Sequence, residues 1–270
     1  MPLYFKPMEH IPAMEMVVHR TIWSVPVALL VIGAQGRLGE LLSLFRDRRI
    51  FLMMLITALL ITVNWVIYVW AIGVDKTSEA ALGYYINPLI TVMLGFALQG
   101  DRLTRLQIVA VGIACLAVLI RTVIGGVFPW IALTLAVSFA AYGYLRKTVP
   151  VGPTQGFLME VVILFPLAFI YLLWLIAIGE NHFTLTSSDG PLLMLAGVLT
   201  AAPLILYAFG AKLLRLATLG LMQYIAPSII FLISFLVFGE QMDIWQGLTF
   251  VMIWFALVLY TWSMFREGGV

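Results

Sequence analysis

Charge is scarce in this 270-residue chain: Asp, Glu, Lys and Arg make up 10% of it, against about 25% in an ordinary soluble domain. With 63% apolar residues and a mean hydropathy of +1.08, a soluble fold of this size is excluded, because it could not hide so much apolar surface. The net charge is only +2, which leaves no electrostatic footprint for nucleic acid. A single cysteine, Cys115, rules out an internal disulfide. It sits mid-segment in Gly112-Ile113-Ala114-Cys115-Leu116 and reads as a small buried apolar residue. The three histidines, His10, His19 and His182, lack metal-ligand spacing, and His10 and His182 fall in predicted outer loops. There is no His-Glu-x-x-His, no Gly-x-Ser-x-Gly and no clustered Asp pair, so an intramembrane enzyme has no motif to stand on. There is no Gly-x-x-x-x-Gly-Lys-Ser/Thr loop, which excludes direct drive by ATP. No metal and no cofactor is expected. No signal-peptide pattern opens the chain, so insertion rests on the transmembrane helices themselves.

What the chain does have is long apolar runs. A bilayer core needs about 20 apolar residues per helix. Nine segments qualify, at 14–34, 50–73, 79–98, 104–122, 127–146, 154–178, 190–210, 216–238 and 244–264. Eleven of the 15 Lys and Arg residues fall on one set of alternate loops: Arg37, Arg46, Arg48, Arg49, Arg102, Arg105, Arg146, Lys147, Lys212, Arg215 and Arg266. Lys6, Lys76 and Arg121 fall on the other, and Arg20 lies inside a span. The positive-inside rule puts the 35–49 loop and the C-terminus in the cytoplasm and the N-terminus outside, as an odd number of spans requires.

A proline-centred block occurs twice. Tyr85-Ile86-Asn87-Pro88, followed by Gly100-Asp101, returns as Tyr224-Ile225-Ala226-Pro227, followed by Gly239-Glu240, 139 residues later. The same offset relates Tyr68 to Tyr207, Ile90 to Ile229, Phe96 to Phe235 and Gln107 to Gln246. Five spans separate the two blocks, so they cross in opposite directions, which is an inverted-topology repeat. The expected fold is an all-α polytopic membrane protein, a bundle of two inverted five-helix repeats with nine spans present here. The halves are 1–125 and 126–270. The first half lacks the counterpart of 127–146, and Met1-Pro2-Leu3-Tyr4-Phe5-Lys6 reads as the remnant of that helix; the plain alternative is a genuine nine-helix protein.

Ionisable groups inside a span are costly and mark solute paths. Glu15 and His19 share a helix face at i, i+4, with Arg20 beside them. Arg20 lies about 10 Å from the outer end at 1.5 Å per residue. It lines a solute path, or it snorkels or pairs with Glu15. His19 contacts solute or makes a packing hydrogen bond, and with Glu15 it is a candidate proton relay. Asn64 and Tyr68 face one way beside Trp65, either as a polar anchor for solute or as an interhelical hydrogen bond. Trp70 is an interface aromatic. Tyr84, Tyr85 and Asn87 precede Pro88, and Gln223 and Tyr224 precede Pro227. Each proline removes a backbone donor, and a break once per half points to the binding site, unless it is a fixed kink packed by tyrosines. Asp101 and Glu240 read as caps or surface partners. Glu160 lies near Glu15 in repeat register but without a His-Arg neighbour.

These residues carry a resemblance. Glu15 through Ser24 (Glu-Met-Val-Val-His-Arg-Thr-Ile-Trp-Ser), Asn64-Trp65, Leu82 through Leu89, Thr218-Leu219-Gly220 and Gln223 through Pro227 resemble the RarD family. That family lies in the EamA branch of the drug/metabolite transporter superfamily. The resemblance covers essentially the whole chain. It implies ten helices, two EamA repeats, a bacterial inner-membrane location, and export or exchange of small organic molecules. It departs from the pattern at the N-terminus, where only the end of the first helix is present. The expected function is therefore a secondary transporter whose partners are a small organic solute, the lipid bilayer and, as a candidate, protons. The competing reading is a non-transporting sensor or assembly partner, or an inactive truncated relative.

Overall fold

In lipid every backbone polar group must be satisfied within the protein, which leaves long apolar runs the choice of helix or closed barrel. In the computed structural model they are helices. The structure describes the chain except residues 1–3, 5, 9, 75, 126–129, 185–187, 230–243 and 267–270. After a short 3-10 turn at Lys6–Met8, the helices are α1 Ala13–Ala34, α2 Leu38–Arg46, α3 Arg48–Gly73, α4 Thr77–Gln99 and α5 Arg105–Gly125. They continue with α6 Trp130–Thr148, α7 Pro153–Ile178, α8 Asp189–Leu213, α9 Leu216–Met222 and α10 Ile244–Arg266. Among the described residues there is no strand. Within those residues six stretches are long and apolar enough to cross a membrane: Ala13–Ala34, Arg48–Tyr68, Ala80–Gln99, Arg105–Ile124, Pro153–Ile178 and Asp189–Leu213. Leu216–Ile229 and Gly247–Ser263 are shorter apolar helical stretches. Most of the expected span 216–238, and with it Gly239-Glu240 and Phe235, lies outside the described residues.

Local chemistry sets the ends. Gly100 takes φ +69° at the close of α4, a conformation open to glycine at little cost, and lets the Asp101 amide donate back to the Gly95 carbonyl at 3.1 Å. Asp47 starts α3 by accepting the Arg49 and Ile50 amides at 2.9 and 3.1 Å. The helix α2, inside the 35–49 loop, is not among the expected elements.

The chain forms two compact units, 1–69 with 145–213, and 70–144 with 214–270. Each joins a stretch of the first half to a stretch of the second. In the first unit α1 packs on α7 and α8. Ala28 and Ile32 of α1 meet Phe157, Leu158 and Val161 of α7 and Ala201 and Ile205 of α8. The backbones come closest at Gly197: a Cβ there would lie 2.3 Å from the Trp23 carbonyl. Ser24 seals the contact by donating to the Gly197 carbonyl at 3.2 Å. At the other end Lys147 of α6 donates to the Ala211 carbonyl of α8 at 3.1 Å. Lys212 of α8 donates back to the carbonyls of Lys147 and Val149.

In the second unit α4 packs on α9 and α5 on α10, around Val92, Ala110, Ala114, Ala117, Ala217, Tyr224, Ile253 and Ala256. Large apolar side chains such as Leu30, Val123, Leu206 and Phe265 point outward, as they must where the surroundings are lipid. Cys115, expected to be buried, is exposed. It sits on the outward side of α5 between Ala114 and Leu116, where a small, weakly polar side chain is compatible with lipid.

Candidate functional site

In the first unit, α1 brings Glu15, His19, Arg20 and Trp23 along successive turns. Glu15 is fully buried. Its partner is not chiefly His19, whose Nε2 lies 3.8 Å from Oε1. Instead the segment after α7 folds over it. The His182 amide donates to Glu15 Oε1 at 2.7 Å, and His182 Nδ1 lies 2.7 Å from Oε2. Phe183 next to it stacks on the His19 ring at 5.2 Å and lies tilted against the Trp23 ring at 5.7 Å. His19 is 1% exposed, and among the described residues neither ring nitrogen has a hydrogen-bond partner.

Arg20 does not pair with Glu15. Its Nε donates to Thr200 Oγ1 of α8 at 2.9 Å, and its guanidinium lies 4.8 Å over the Trp65 ring of α3, a cation–π contact. Asn64 and Tyr68, half-buried, flank Trp65 on α3. Tyr4 donates to the Leu192 carbonyl at 2.6 Å. Burial pushes its hydroxyl up to about 12, with nearby Arg20 opposing.

In the second unit the two proline blocks meet. Pro227 carries no N–H, and its ring clashes with the carbonyl four residues back, at Gln223. The helix accordingly stops at Met222. Residues 223–224 form a turn, closed by tight bonds from the Gln223 amide to Gly220 and the Tyr224 amide to Leu221, both 3.1 Å, and helix resumes over 225–229. Pro88, by contrast, sits inside a continuous α4. At the turn, Tyr224 donates its hydroxyl to the Tyr85 carbonyl at 2.9 Å, and Asn87 Nδ2 donates to Gln223 Oε1. Among the described residues, Asn87 Oδ1 and Gln223 Nε2 are buried without partners. The Tyr85 ring meets Phe250 of α10 edge-on at 5.4 Å. Tyr84 is 45% exposed. Asp101 accepts the Ala217 amide at 3.0 Å, capping α9.

The sequence candidates thus form two groups. One is Glu15, His19, Arg20, Asn64, Trp65 and Tyr68; the other is Tyr85, Asn87, Gln223 and Tyr224, with Pro88 and Pro227 shaping it. His182, Phe183, His10, Asp189 and Thr200 join the first group unanticipated. Glu160, unaccompanied in sequence, has an ion partner in space: Arg146 Nη1 lies 3.7 Å from its Oε1, and both side chains are almost fully buried. Among the described residues no three His, Cys, Asp or Glu side chains are arranged to hold a metal.

The profile of the EamA-like transporter family matches residues 2–123. An "Uncharacterized transporter" of Vibrio cholerae is 38% identical over 268 residues, covering 99% of this chain and 89% of that one. A protein RarD of Streptomyces exfoliatus is 38% identical over 270 residues, covering 99% and 85%. The chain belongs to the EamA-like transporter family, in its RarD branch. A further relative, transporter YojE of Bacillus subtilis, is 41% identical and covers 98% of this chain and 90% of its own. A solved crystal structure with 19% identity superposes with a TM-score of 0.71 over 96% of this chain and 91% of that one, a likeness of fold. Family and apolar helices together make this a multi-pass membrane protein. The relatives from Vibrio cholerae and Bacillus subtilis are named as transporters.

Proposed function

We propose that the chain is a secondary transporter of the cell inner membrane that exports or exchanges small organic metabolites or drugs. Two inverted repeats, 1–125 and 126–270, would expose a shared site to each face in turn, with the C-terminus cytoplasmic. The observation that carries this is the amide pair at the proline break. Buried polar atoms are nearly always hydrogen-bonded, yet among the described residues Asn87 Oδ1 and Gln223 Nε2 are buried and unpartnered side by side. They offer one acceptor and one donor in a block that also holds the bonded Tyr85 and Tyr224, with Phe250 against the Tyr85 ring, which suits an amphipathic organic solute. Support for the repeat comes from helix partnering. Helices that the 139-residue offset makes counterparts pack together, α1 with α7, α4 with α9 and α5 with α10, as elements beside a two-fold axis do.

The test is flux. The full chain in proteoliposomes is screened for counterflow of labelled metabolites from a cell extract, and the responding solute is then measured with Arg20→Ala and Asn87→Ala. Loss of flux in Asn87→Ala with retained folding supports the site. Unchanged flux in both variants removes it, and absence of any counterflow removes the transport reading. Cysteine labelling that places Asp101 and Glu240 on the same side of the lipid would end the inverted-repeat reading.

A further inference from the structure

All three histidines of the chain converge on the same end of the first unit, although 172 positions separate the outermost. His10 is half exposed, and its Nε2 lies 3.2 Å from Asp189 Oδ2. Its ring meets the His182 ring edge-on, centroids 6.2 Å apart. His182, 35% exposed, binds the fully buried Glu15 at 2.7 Å. Glu15 then faces His19, 1% exposed, across 3.8 Å. The groups run from solvent to interior, from a half-exposed His10 through a part-exposed His182 to Glu15 and His19, both essentially buried. Hydrophobic burial or helix packing asks for no such gradient, and a metal site would draw the ligands onto one point.

We propose that His10, Asp189, His182, Glu15 and His19 form a proton path from the outer end of the first unit to its buried centre. The proposal rests on the transporter reading and names protons as the coupling ion of that same site. The transfer balances as follows. A hydronium ion on the acid side gives its proton to His182 Nε2 and leaves as water, making an imidazolium, with His10 and Asp189 gathering protons at the mouth. The Nδ1 proton passes to Glu15 Oε2, which leaves His182 neutral with its proton on Nε2 and Glu15 as a neutral acid. Glu15 then turns its O–H toward His19 Nε2 and returns to a carboxylate as His19 becomes charged. The last gap, 3.8 Å, is wider than the 2.7–3.2 Å or so of a hydrogen bond, so this conformation loads Glu15 and holds His19 empty. Movement of α1 against the 179–184 segment closes the gap. Other groups facing the path are Tyr4 from the N-terminal segment, Arg20 on α1, held by Trp65 of α3 and Thr200 of α8, and the aromatic cover of Phe183.

The test needs no known solute. Proteoliposomes of the full chain on a solid-supported membrane receive an external acid step, and the transient charge displacement is recorded. Wild type gives a current that empty liposomes do not. Glu15→Gln, which keeps an oxygen to accept the His182 amide, lowers it to about a tenth or less. His182→Gln, altered near the mouth, slows its rise about tenfold. A wild-type current no larger than that of empty liposomes overturns the proposal, as does a full-sized, undelayed current in both folded variants. Counterflow measured on the same vesicles separates the two readings. Currents that depend on Glu15 without counterflow of any solute support the path and remove the transporter assignment. Counterflow without currents does the reverse.

Discussion

Tyr224 donates its hydroxyl to the backbone carbonyl of Tyr85, the residue that stands 139 positions before it in the duplicated block. One member uses its side chain and the other its main chain, so the two copies are not interchangeable at this point. Tyr224 is 1% exposed, so its hydroxyl is satisfied by this bond alone among the described residues. Tyr224→Phe leaves the Tyr85 carbonyl without that donor. It is expected to cost about 1–3 kcal/mol, visible as a lower thermal midpoint in detergent, with no change in helix content by circular dichroism.

Gly197 is the point where α1 and α8 touch backbone to backbone. Even one methyl would enter the Trp23 carbonyl. Gly197→Ala is expected to lose about 1–3 kcal/mol through overpacking and Gly197→Leu to fail in membrane insertion yield. Normal yield and midpoint for Gly197→Leu would show that the helices are free to part.

Arg146 and Glu160 are both buried, and removing one leaves the other uncompensated. Arg146→Met is expected to cost about 3–5 kcal/mol, whereas Arg146→Met with Glu160→Leu should recover most of the loss, because an apolar pair replaces an ionic one at little net cost. A double-mutant cycle on thermal midpoints reads the difference.

The exposed end of α2 responds to acid. Glu40 accepts Arg37 Nε at 3.0 Å and Gln155 Nε2 of α7 at 2.9 Å, and the Arg37 hydrogen bond holds its carboxyl below the usual range. A carboxyl lowered on folding contributes stability above its unfolded pKa and loses it as pH falls through the folded one. Amide exchange in 38–46 should therefore quicken as pH falls below about 4.3, the ordinary Glu value, after correction for intrinsic rates. In Glu40→Gln this dependence should vanish.

Much of the fold is legible in the residue order because lipid imposes one rule, an apolar run of helical length, and 154–178 becomes Pro153–Ile178 on that rule alone. The α2 helix escapes it: nine residues with Glu40 and Arg46 among leucines are held by contacts such as Thr154 to Gln35 rather than by hydropathy. The two prolines show the same limit. Both forbid one backbone bond, yet only the second opens its helix, since neighbouring contacts decide whether the freed carbonyl is bent away. In the candidate site, i, i+4 spacing correctly put Glu15 beside His19, but could not disclose that His182, 167 positions away, is the nearer partner. Nor could charge on a loop reveal that Arg146, counted as a cytoplasmic marker, is buried against Glu160.

Lys147 and Lys212 each terminate the other's helix. Main-chain carbonyls that one helix cannot use are neutralised by an ammonium carried on its neighbour, so fraying at 146–149 and at 209–213 becomes a single event rather than two. Acetylating either lysine should therefore loosen both ends together, and this rim of the unit would move as a hinge plate instead of as two loose tips.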